Sequence, residues 1–491
     1  MSEMQTGVVF PAGADGRRST TATGRDVWAD AVRGTDPALA ERIAGERDWR
    51  KRYVEHVVDV TAAATRTTTG PVDVARAGLA ALEERMVFER DGETRPVSEV
   101  VKAGGAALGT TTVVGENDHP GELVLPYRGE RLRGDALLRQ VDAWAAAGVV
   151  EPSCAAAVRA VVDHPDWLDL RDRSFALLGA AAELGPAEPL LAWGAHVAGV
   201  DLPRPRLQDQ LVAAARAGSG RLDLPAQGDT ATGADLLTQA PEVAQWLTGI
   251  GDGRPLTVGS YAYADGARHV QVAVASDAVV EHLLRTGLDV SYAELATPTD
   301  AYAVPADVVR DAHSRWRARG WRRPLQGVAR GATRGALYAP SYPTTLHRDD
   351  GTEVGIADVL VPQQGPNYTL AKRVQRWRAL VAQADGVVVS ANVAPATSTR
   401  SVTKNRLLAA AYAGAGSFGV EVFAPVTSRV LMAALLVHDL RTGSRPLQHP
   451  DDLFAQQAAH GGLWRVGYSP RSVLGLAALR GLPGAVRPPR T

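Results

Sequence analysis

A tyrosine and a lysine lie four residues apart in the segment GPNYTLAKRVQR, at Tyr368 and Lys372. Residues at this spacing share one face of a helix, and a lysine ammonium beside a tyrosine favours the phenolate and lowers the pKa of the phenol. Such a tyrosine can exchange a proton with a carbonyl/alcohol couple while a hydride passes to or from nicotinamide, and the lysine can bind the nicotinamide ribose. In the alternative interpretation, Lys372 only continues the basic run of Arg373, Arg376 and Arg378 on a solvated helix.

A glycine-containing turn follows the apolar run SFALL at residues 174–178. Gly179, Ala182 and Gly185 match the spacing G-x-x-G-x-x-G with alanine at its centre, and Asp201 lies 22 residues beyond Gly179. In a dinucleotide-binding fold, such a turn brings bare backbone and a helix N-terminus against the pyrophosphate, and the acidic residue accepts hydrogen bonds from the adenosine ribose. The turn therefore predicts a cofactor site, in which the Glu183 carboxylate must point away from the pyrophosphate.

The choice between the two nicotinamide dinucleotides depends on the residues after the second strand. Asp201 favours NAD, whereas Arg204 and Arg206 could reach the 2′-phosphate of NADP, and we expect NAD or NADP with NAD slightly preferred. Asp223, in a third strand predicted at residues 221–224, is a further cofactor-binding candidate. Since glycine supplies 49 of the 491 residues, an ordinary strand-turn-helix is the alternative interpretation of the turn.

These features occur in the order of a known family. The chain resembles the short-chain dehydrogenase/reductase family over about residues 174–440, through a glycine turn, an acidic residue, a serine, a Tyr-x-x-x-Lys pair and a later proline: Gly179 and Gly185, Asp201, Ser341, Tyr368 and Lys372, and Pro395. The resemblance implies that Ser341 polarises the substrate oxygen and that Pro395, Thr397 and Thr399 lie near the nicotinamide amide. It also implies an NAD(P)-dependent oxidoreductase acting on a carbonyl or alcohol of some hydrophobicity, with Tyr368 as the general acid/base.

The elements that must position these residues change in character along the chain. Residues 1–25 predict a flexible tail, and residues 26–170 a mostly helical region. From residue 171 to 445, short apolar runs alternate with helical stretches, which is typical of an α/β protein with a Rossmann-like, doubly wound, mainly parallel sheet. Within this domain, residues 255–330 are interpreted as an insertion that begins with a possible hairpin at 255–275, and residues 335–340 as a strand leading to Ser341. Residues 446–491 predict a C-terminal segment with a loose tail.

Composition weighs against several classes of function. Lys+Arg is 53 and Asp+Glu is 54, a formal net charge of -1, which disfavours nucleic acid or an anionic membrane as a general partner. A single cysteine, Cys154, rules out a disulfide framework and a cysteine-ligated zinc site within one chain. Neither a P-loop motif nor H-E-x-x-H occurs, and we expect no metal site. We expect a cytoplasmic protein without a membrane span that acts on a small molecule, and homo-oligomerisation stays open.

Two alternatives to the oxidoreductase also stay open. An epimerase or dehydratase of the same fold would hold NAD tightly, and a catalytically silent scaffold would bind a nucleotide without turnover. Alanine at the centre of the glycine turn limits how closely the backbone approaches a phosphate, and this departure keeps the scaffold in consideration.

Overall fold

The structure is a computed structural model of the chain, and it describes residues 7–228, 231–250, 253–320, 322–444 and 446–485. The strands are β1 (Gly7–Val9), β2 (Val87–Arg90), β3 (Glu93–Pro96), β4 (Gly109–Val114), β5 (Leu125–Tyr127), β6 (Glu130–Leu132), β7 (Ser174–Leu178), β8 (His196–Val200), β9 (Arg221–Gln227), β10 (Ala231–Thr232), β11 (Leu256–Ser260), β12 (Val290–Ala296), β13 (Ala301–Pro305), β14 (Thr345–His347), β15 (Glu353–Asp358) and β16 (Val389–Val393).

Helices connect most of these strands. They are α1 (Thr20–Arg33), α2 (Pro37–Ala44), α3 (Trp49–Thr65), α4 (Gly70–Arg85), α5 (Val97–Ala103), α6 (Gly134–Ala147), α7 (Pro152–Asp163), α8 (Ala187–Ala192), α9 (Pro205–Arg216), α10 (Leu236–Ile250), α11 (Ala267–Leu284), α12 (Ala306–Arg317), α13 (Arg322–Ala332), α14 (Gly365–Ala384), α15 (Arg400–Thr403), α16 (Arg406–Gly414), α17 (Pro425–Thr442), α18 (Asp452–Ala455) and α19 (Pro470–Ala485). Short 3₁₀ turns occupy Pro165–Leu168, Pro362–Gln364 and Ala415–Phe418.

A mainly parallel sheet forms the centre of the molecule. Its strand order is β10-β9-β8-β7-β11-β12-β16, in which the neighbours from β9 to β16 run parallel, while β10 and β4 pair antiparallel with β9. The chain builds outward from β7 to β9 and then returns to the other side of β7 with β11. The crevice between the carboxyl ends of β7 and β11 is therefore the point at which the strand order reverses, where open α/β sheets bind ligands.

Helices cover both faces of this sheet. Along β7, Ala176 and Leu178 pack into one hydrophobic core with residues of α10, α11 and α14, while Phe175 and Leu177 pack into the other with residues of α8, α9 and α17. Strands covered on both faces need continuous apolar runs, which explains why the segment SFALL is buried throughout. This α/β architecture is compatible with the Rossmann-like sheet that the sequence predicts.

The N-terminal residues form outer layers on both faces of the sheet. Helices α1 to α5 contribute to the core that contains α14, and α6 and α7 contribute to the opposite core. The Trp28 ring lies edge-on to the Trp377 ring of α14, with centroids 5.3 Å apart. Gly78 of α4 faces the same ring, and a Cβ there would lie 2.5 Å from it. The prediction of a flexible tail over 1–25 differs from the structure at residues 7–25, because β1 pairs with β2 and α1 begins at Thr20.

The interpretation of residues 255–330 as an insertion is wrong, since β11 and β12 are central strands of the sheet. The possible hairpin at 255–275 is also wrong, because its second half begins the buried helix α11. Alternating valines in HVQVAVA imitate the period of a strand, but a helix packed on several sides buries them equally well. The segment that separates β12 from α14 instead contains α12, α13 and the antiparallel sheet β13-β15-β14.

Residues 335–340 form turns rather than the predicted strand, with an isolated bridge between Pro340 and Tyr468. In the C-terminal segment, α19 reaches Ala485 and packs against α16 through Ala477 and Ala478, and the end of the predicted loose tail, 486–491, lies outside the described residues. Within the described ranges, no helix combines the length and the apolar composition that crossing a bilayer requires.

Candidate functional site

A cleft of about 800 Å³ opens at the carboxyl edge of the central sheet. The residues that directly follow five of its parallel strands line this cleft: Gly179, Asp201, Tyr261, Thr297 and Ala394. Helix α14, which crosses from β15 to β16, adds Tyr368 and Lys372 to the same lining. The sheet topology therefore gathers side chains from distant parts of the sequence around one crevice.

The turn after β7 requires glycine at its first position. Gly179 has a φ of +86°, and a Cβ there would lie 2.5 Å from the backbone N and Cα of Ala262. The Asp201 carboxylate stabilises the turn, because its oxygens accept hydrogen bonds from the N–H groups of Ala181 and Leu202, each at 2.8 Å. Burial raises the pKa of this carboxyl. Gly179 and Asp201, with Ala182 and Gly185, therefore lie together at the cleft.

The Glu183 side chain links the first turn to the opposite wall of the cleft. Its carboxylate accepts a hydrogen bond of 2.9 Å from the backbone N–H of Arg400, the first residue of α15 after β16. Since β11 and β12 lie between β7 and β16, this contact passes over their carboxyl ends. On the rim, the Lys404 ammonium forms a second link, at 3.3 Å from the Asp265 carboxylate in the loop after β11. A dinucleotide site requires the Glu183 carboxylate to point away from the pyrophosphate, but in the structure this carboxylate reaches across the crevice.

The Tyr368 side chain is half-buried in the cleft, and its hydroxyl donates a hydrogen bond of 2.9 Å to Oγ1 of Thr297. Thr297 directly follows β12, and its hydroxyl lies 3.0 Å from that of Thr299. The pKa of Tyr368 is raised, mainly by burial. This direction is opposite to the lowering expected from a neighbouring lysine, and it favours a neutral phenol with a proton to donate.

Lys372 lies one helical turn after Tyr368 and is tied to the end of β12. Its ammonium donates a hydrogen bond of 2.8 Å to the carbonyl oxygen of Leu295 and a second one to the Gln375 side chain. Burial lowers the pKa of Lys372. The spacing of four residues on α14 does bring the tyrosine and the lysine to one cleft, but the bonds of Lys372 hold it against the strand.

A buried glutamate lies beneath this pair. Glu294 of β12 is 2% exposed, and neither of its carboxylate oxygens has a hydrogen-bond partner among the described residues. Burial raises the pKa of Glu294 to about 7, an effect that the positive charge of Lys372 partly opposes. The sequence does indicate Glu294, because it is the single acidic residue inside the strand VSYAELA. Its position under α14, however, follows from how the strands pair in the sheet, which the sequence does not show.

His269, near the start of α11, packs between two tyrosines of the cleft. Its ring centroid lies 5.5 Å from that of Tyr368 and 4.7 Å from that of Tyr263. Burial lowers the pKa of His269 to about 3, with a smaller contribution from the charge of Lys372, so the imidazole is neutral near pH 7. Sequence reasoning missed this residue because the histidines are scattered along the chain.

The loop after β16 lines the cleft with three of the predicted cofactor-binding residues, Pro395, Thr397 and Thr399. The Thr397 hydroxyl donates a hydrogen bond of 2.8 Å to the Pro395 carbonyl oxygen and lies 2.6 Å from Oγ of Ser428 on α17. These bonds fix the loop against the helix that follows it.

Two predicted site residues lie elsewhere. The Ser341 hydroxyl donates a hydrogen bond of 2.8 Å to the Val466 carbonyl oxygen and does not line the cleft, because residues 335–340 form no strand that would carry it there. Thr297 occupies the position beside the Tyr368 hydroxyl that Ser341 was expected to hold.

Asp223 lies inside β9, away from the carboxyl edge, and its carboxylate accepts hydrogen bonds from Arg221 and Thr112 and contacts His196 at 2.8 Å. Asp223 pairs with Ala198, which lies two residues before the end of β8. Its side chain contacts residues of the neighbouring strands β4 and β8 and does not line the cleft. Asp223 is therefore a buried structural residue and not part of the predicted cofactor site.

Among the described residues, no group of three or more His, Cys, Asp or Glu side chains is arranged to hold a metal ion. We also compared the chain with protein-family models, curated proteins and solved structures, and none of them matches it.

Proposed function

We propose that the protein is an NAD(P)-dependent oxidoreductase of the short-chain dehydrogenase/reductase type that acts on a carbonyl/alcohol substrate. The observation that carries the proposal is the Tyr368 hydroxyl, which is bonded to Thr297 within a cleft at the carboxyl edge of the sheet. The strand order further supports it, since numbering the parallel strands from β7 gives 3-2-1-4-5-6, the order of dinucleotide-binding sheets.

The residues around the crevice fit a dinucleotide. The cleft volume of about 800 Å³ is within the range of ~300–1,000 Å³ typical of ligand sites. Gly179 lets the first turn pack against the backbone of Ala262 at the edge of the cleft where a pyrophosphate would approach, and Asp201 lies where an adenosine ribose would be held. NAD remains slightly preferred over NADP, although Arg204 also lines this end of the cleft.

The nicotinamide, when bound, supplies or accepts the hydride. In the reductive direction Tyr368 donates its phenolic proton to the carbonyl oxygen, and the raised pKa keeps that proton in place at neutral pH. The Thr297 hydroxyl lies close enough to orient the same oxygen, the role first expected of Ser341. Lys372 keeps α14 against β12 through the Leu295 carbonyl and so positions Tyr368.

The test combines cofactor titration with three variants. Tryptophan fluorescence should show saturable binding of NADH or NADPH to wild type and to Tyr368→Phe, while Tyr368→Phe reduces turnover of any accepted ketone by at least ~100-fold. Thr297→Ala should lower kcat more than it raises KM. Ser341→Ala is the matched control, because this hydroxyl lies outside the cleft and its loss should leave kcat unchanged. Failure of both cofactors to bind, or full activity of Tyr368→Phe, contradicts the proposal.

A second function, a nucleotide-binding scaffold without catalysis, is favoured by one observation. The Glu183 carboxylate accepts the hydrogen bond of the Arg400 N–H on the far wall of the cleft, and this donor is therefore not available to an anionic cofactor. Binding of NADH or NADPH without reduction of any carbonyl, and without an effect of Tyr368→Phe, would support this alternative.

A further inference from the structure

A second, smaller cavity adjoins the cleft. It has a volume of about 80 Å³ and is lined almost entirely by apolar side chains, among them Ala415, Val422, Leu463 and Val473. Ala415 begins the 3₁₀ turn after α16, Val422 lies between that turn and α17, Leu463 lies between α18 and α19, and Val473 lies on α19. An apolar cavity of this kind does not hold ordered water well, because water needs several polar partners.

Two residues line both spaces, Thr299 and Tyr412. The Thr299 hydroxyl lies 3.0 Å from that of Thr297, which accepts the hydrogen bond of Tyr368. Tyr412 lines the cleft together with Tyr368. The apolar cavity is therefore adjacent to the hydroxyl groups at which a substrate oxygen would bind.

We propose that this cavity binds a short apolar substituent on the reacting carbon of the substrate, so that the substrate is an aliphatic ketone or secondary alcohol. The inference rests on the proposed function, because it takes the oxygen of the substrate to lie at Tyr368. With the oxygen there, one substituent of the carbon is directed past Thr299 and Tyr412 into the cavity.

The size and polarity of the cavity define the class of substituent. An apolar cavity of ~150 Å³ accommodates benzene, so a cavity of about 80 Å³ suits an alkyl group of roughly three or four carbons. Sugars and other polyols are disfavoured, because each buried hydroxyl without a partner loses its hydrogen bonds to water. Long acyl chains exceed the volume.

The experiment measures kcat/KM for straight-chain 2-alkanones from acetone to 2-octanone with NADH and NADPH. We expect about a threefold to fourfold increase for each methylene that the cavity buries, followed by a plateau or a decline after three or four carbons. Ala415→Leu fills the cavity and should make kcat/KM independent of the chain length of the ketone. Ala413→Leu is the matched control, because Ala413 lies on α16 only two residues before Ala415, is exposed and does not line the cavity, and it should retain the wild-type series.

A binding measurement separates failure of this inference from failure of the proposed function. If no ketone is reduced, the thermal stabilisation of wild type by 1-butanol, 1-pentanol and 1-hexanol still tests the cavity. Stabilisation that depends on chain length and is lost in Ala415→Leu but kept in Ala413→Leu supports the apolar site even without catalysis. Turnover without dependence on chain length, identical series for the two alanine variants, or no stabilisation by the alkanols in the absence of turnover overturns the inference.

Discussion

Glu183 is the residue whose placement conflicts most directly with an anionic cofactor. It lies on the first turn, where a pyrophosphate would approach, and its carboxylate reaches the backbone N–H of Arg400. Two like charges near a protein surface repel by ~1–4 kcal/mol at close range. A nicotinamide dinucleotide bound as we propose would therefore have to displace or tolerate this carboxylate.

We predict that Glu183→Gln binds NADH about tenfold more tightly than wild type, because the amide removes the charge. Fluorescence titration at fixed ionic strength measures the change in Kd. Glu188→Gln is the control, since Glu188 lies on α8, pairs with Arg429 and does not line the cleft. Equal or weaker binding by Glu183→Gln contradicts the idea that the carboxylate opposes the cofactor.

The buried Glu294 predicts a pH dependence of stability. Its pKa of about 7 in the folded protein exceeds the ordinary value of 4.5, so between these pH values the folded state holds a proton that the unfolded state has released. Stability is therefore lost as the pH rises through this window, and the loss is complete above the folded pKa.

We expect the unfolding free energy of wild type, relative to that of Glu294→Gln, to fall by about 3 kcal/mol between acidic and mildly alkaline pH. Urea unfolding of both proteins across that range measures the difference. A difference that does not change with pH would show that the carboxyl titrates as an ordinary surface group does.

The sequence predicts those site residues that a local pattern encodes. Tyr368 and Lys372 share a helix face through their spacing alone, and Gly179 is required by its own backbone angle. Thr297 had no such signal, because a threonine after an apolar strand is common, and only the pairing of β12 with β11 and β16 places it under α14. Ser341 matches the family pattern only by its order along the chain, and that order carries no information about distance in space.

At the scale of elements, helix α14 has charged side chains on its far side that anchor it. Asp300, between β12 and β13, accepts two hydrogen bonds of 2.8 Å from Arg373 and lies 3.3 Å from Arg376. Arg373 also donates a hydrogen bond to Thr61 of α3, at 2.9 Å. Burial alone would raise the pKa of Asp300, but the two guanidinium groups lower it below its ordinary value. This network joins α14 to α3 in the N-terminal region and to the start of β13.

We predict that Asp300→Ala destabilises the protein by about 3–5 kcal/mol, because it leaves two buried guanidinium groups without their carboxylate. Asp385→Ala is the control: Asp385 follows α14 and pairs with Arg76 at 2.6 Å, but both side chains are about half exposed, and the expected loss is only ~0–1 kcal/mol. Chemical unfolding of the two variants measures both values. Equal effects would contradict a structural role for the buried network.

The sequence predicts an element well where the spacing of its apolar residues agrees with the faces that the fold buries. The sequence predicts β7 and β8 from short, mostly apolar runs that stop before Gly179 and Asp201, and the structure ends the two strands there. The sequence-based prediction fails at α11, where Val270, Val272 and Val274 alternate as in a strand although all three are buried in a helix. The spacing of apolar residues does not distinguish a strand from this helix, because α11 packs against α10, α14 and the sheet and is therefore apolar on more than one face.

At the scale of the whole molecule, the N-terminal region is part of the same packing as the sheet. Trp28 and Trp49 are almost completely buried, and α1, α3 and α4 all contact α14. The alternation of strands and helices after residue 171 predicts the sheet, but it gives no information about which face the earlier helices cover, since those contacts join residues hundreds of positions apart.

We predict that deletion of residues 1–103 prevents native folding, because it exposes the side of α14 that contains Trp377 and the apolar face of α11. Circular dichroism and binding of a hydrophobic dye measure the loss of a cooperative thermal transition. A shortened protein that melts cooperatively near the wild-type temperature would instead show that the N-terminal helices form an independent unit.

The cleft and the adjoining cavity take their walls from Gly179, Thr297, Tyr368, Pro395 and, on the last helix, Val473. During synthesis, domains fold as their residues emerge from the ribosome. The turn at Gly179 is translated long before α19, so a nascent chain can assemble the first strands before the cavity has all of its walls. The walls of the cavity are therefore complete only when translation has passed the last helix.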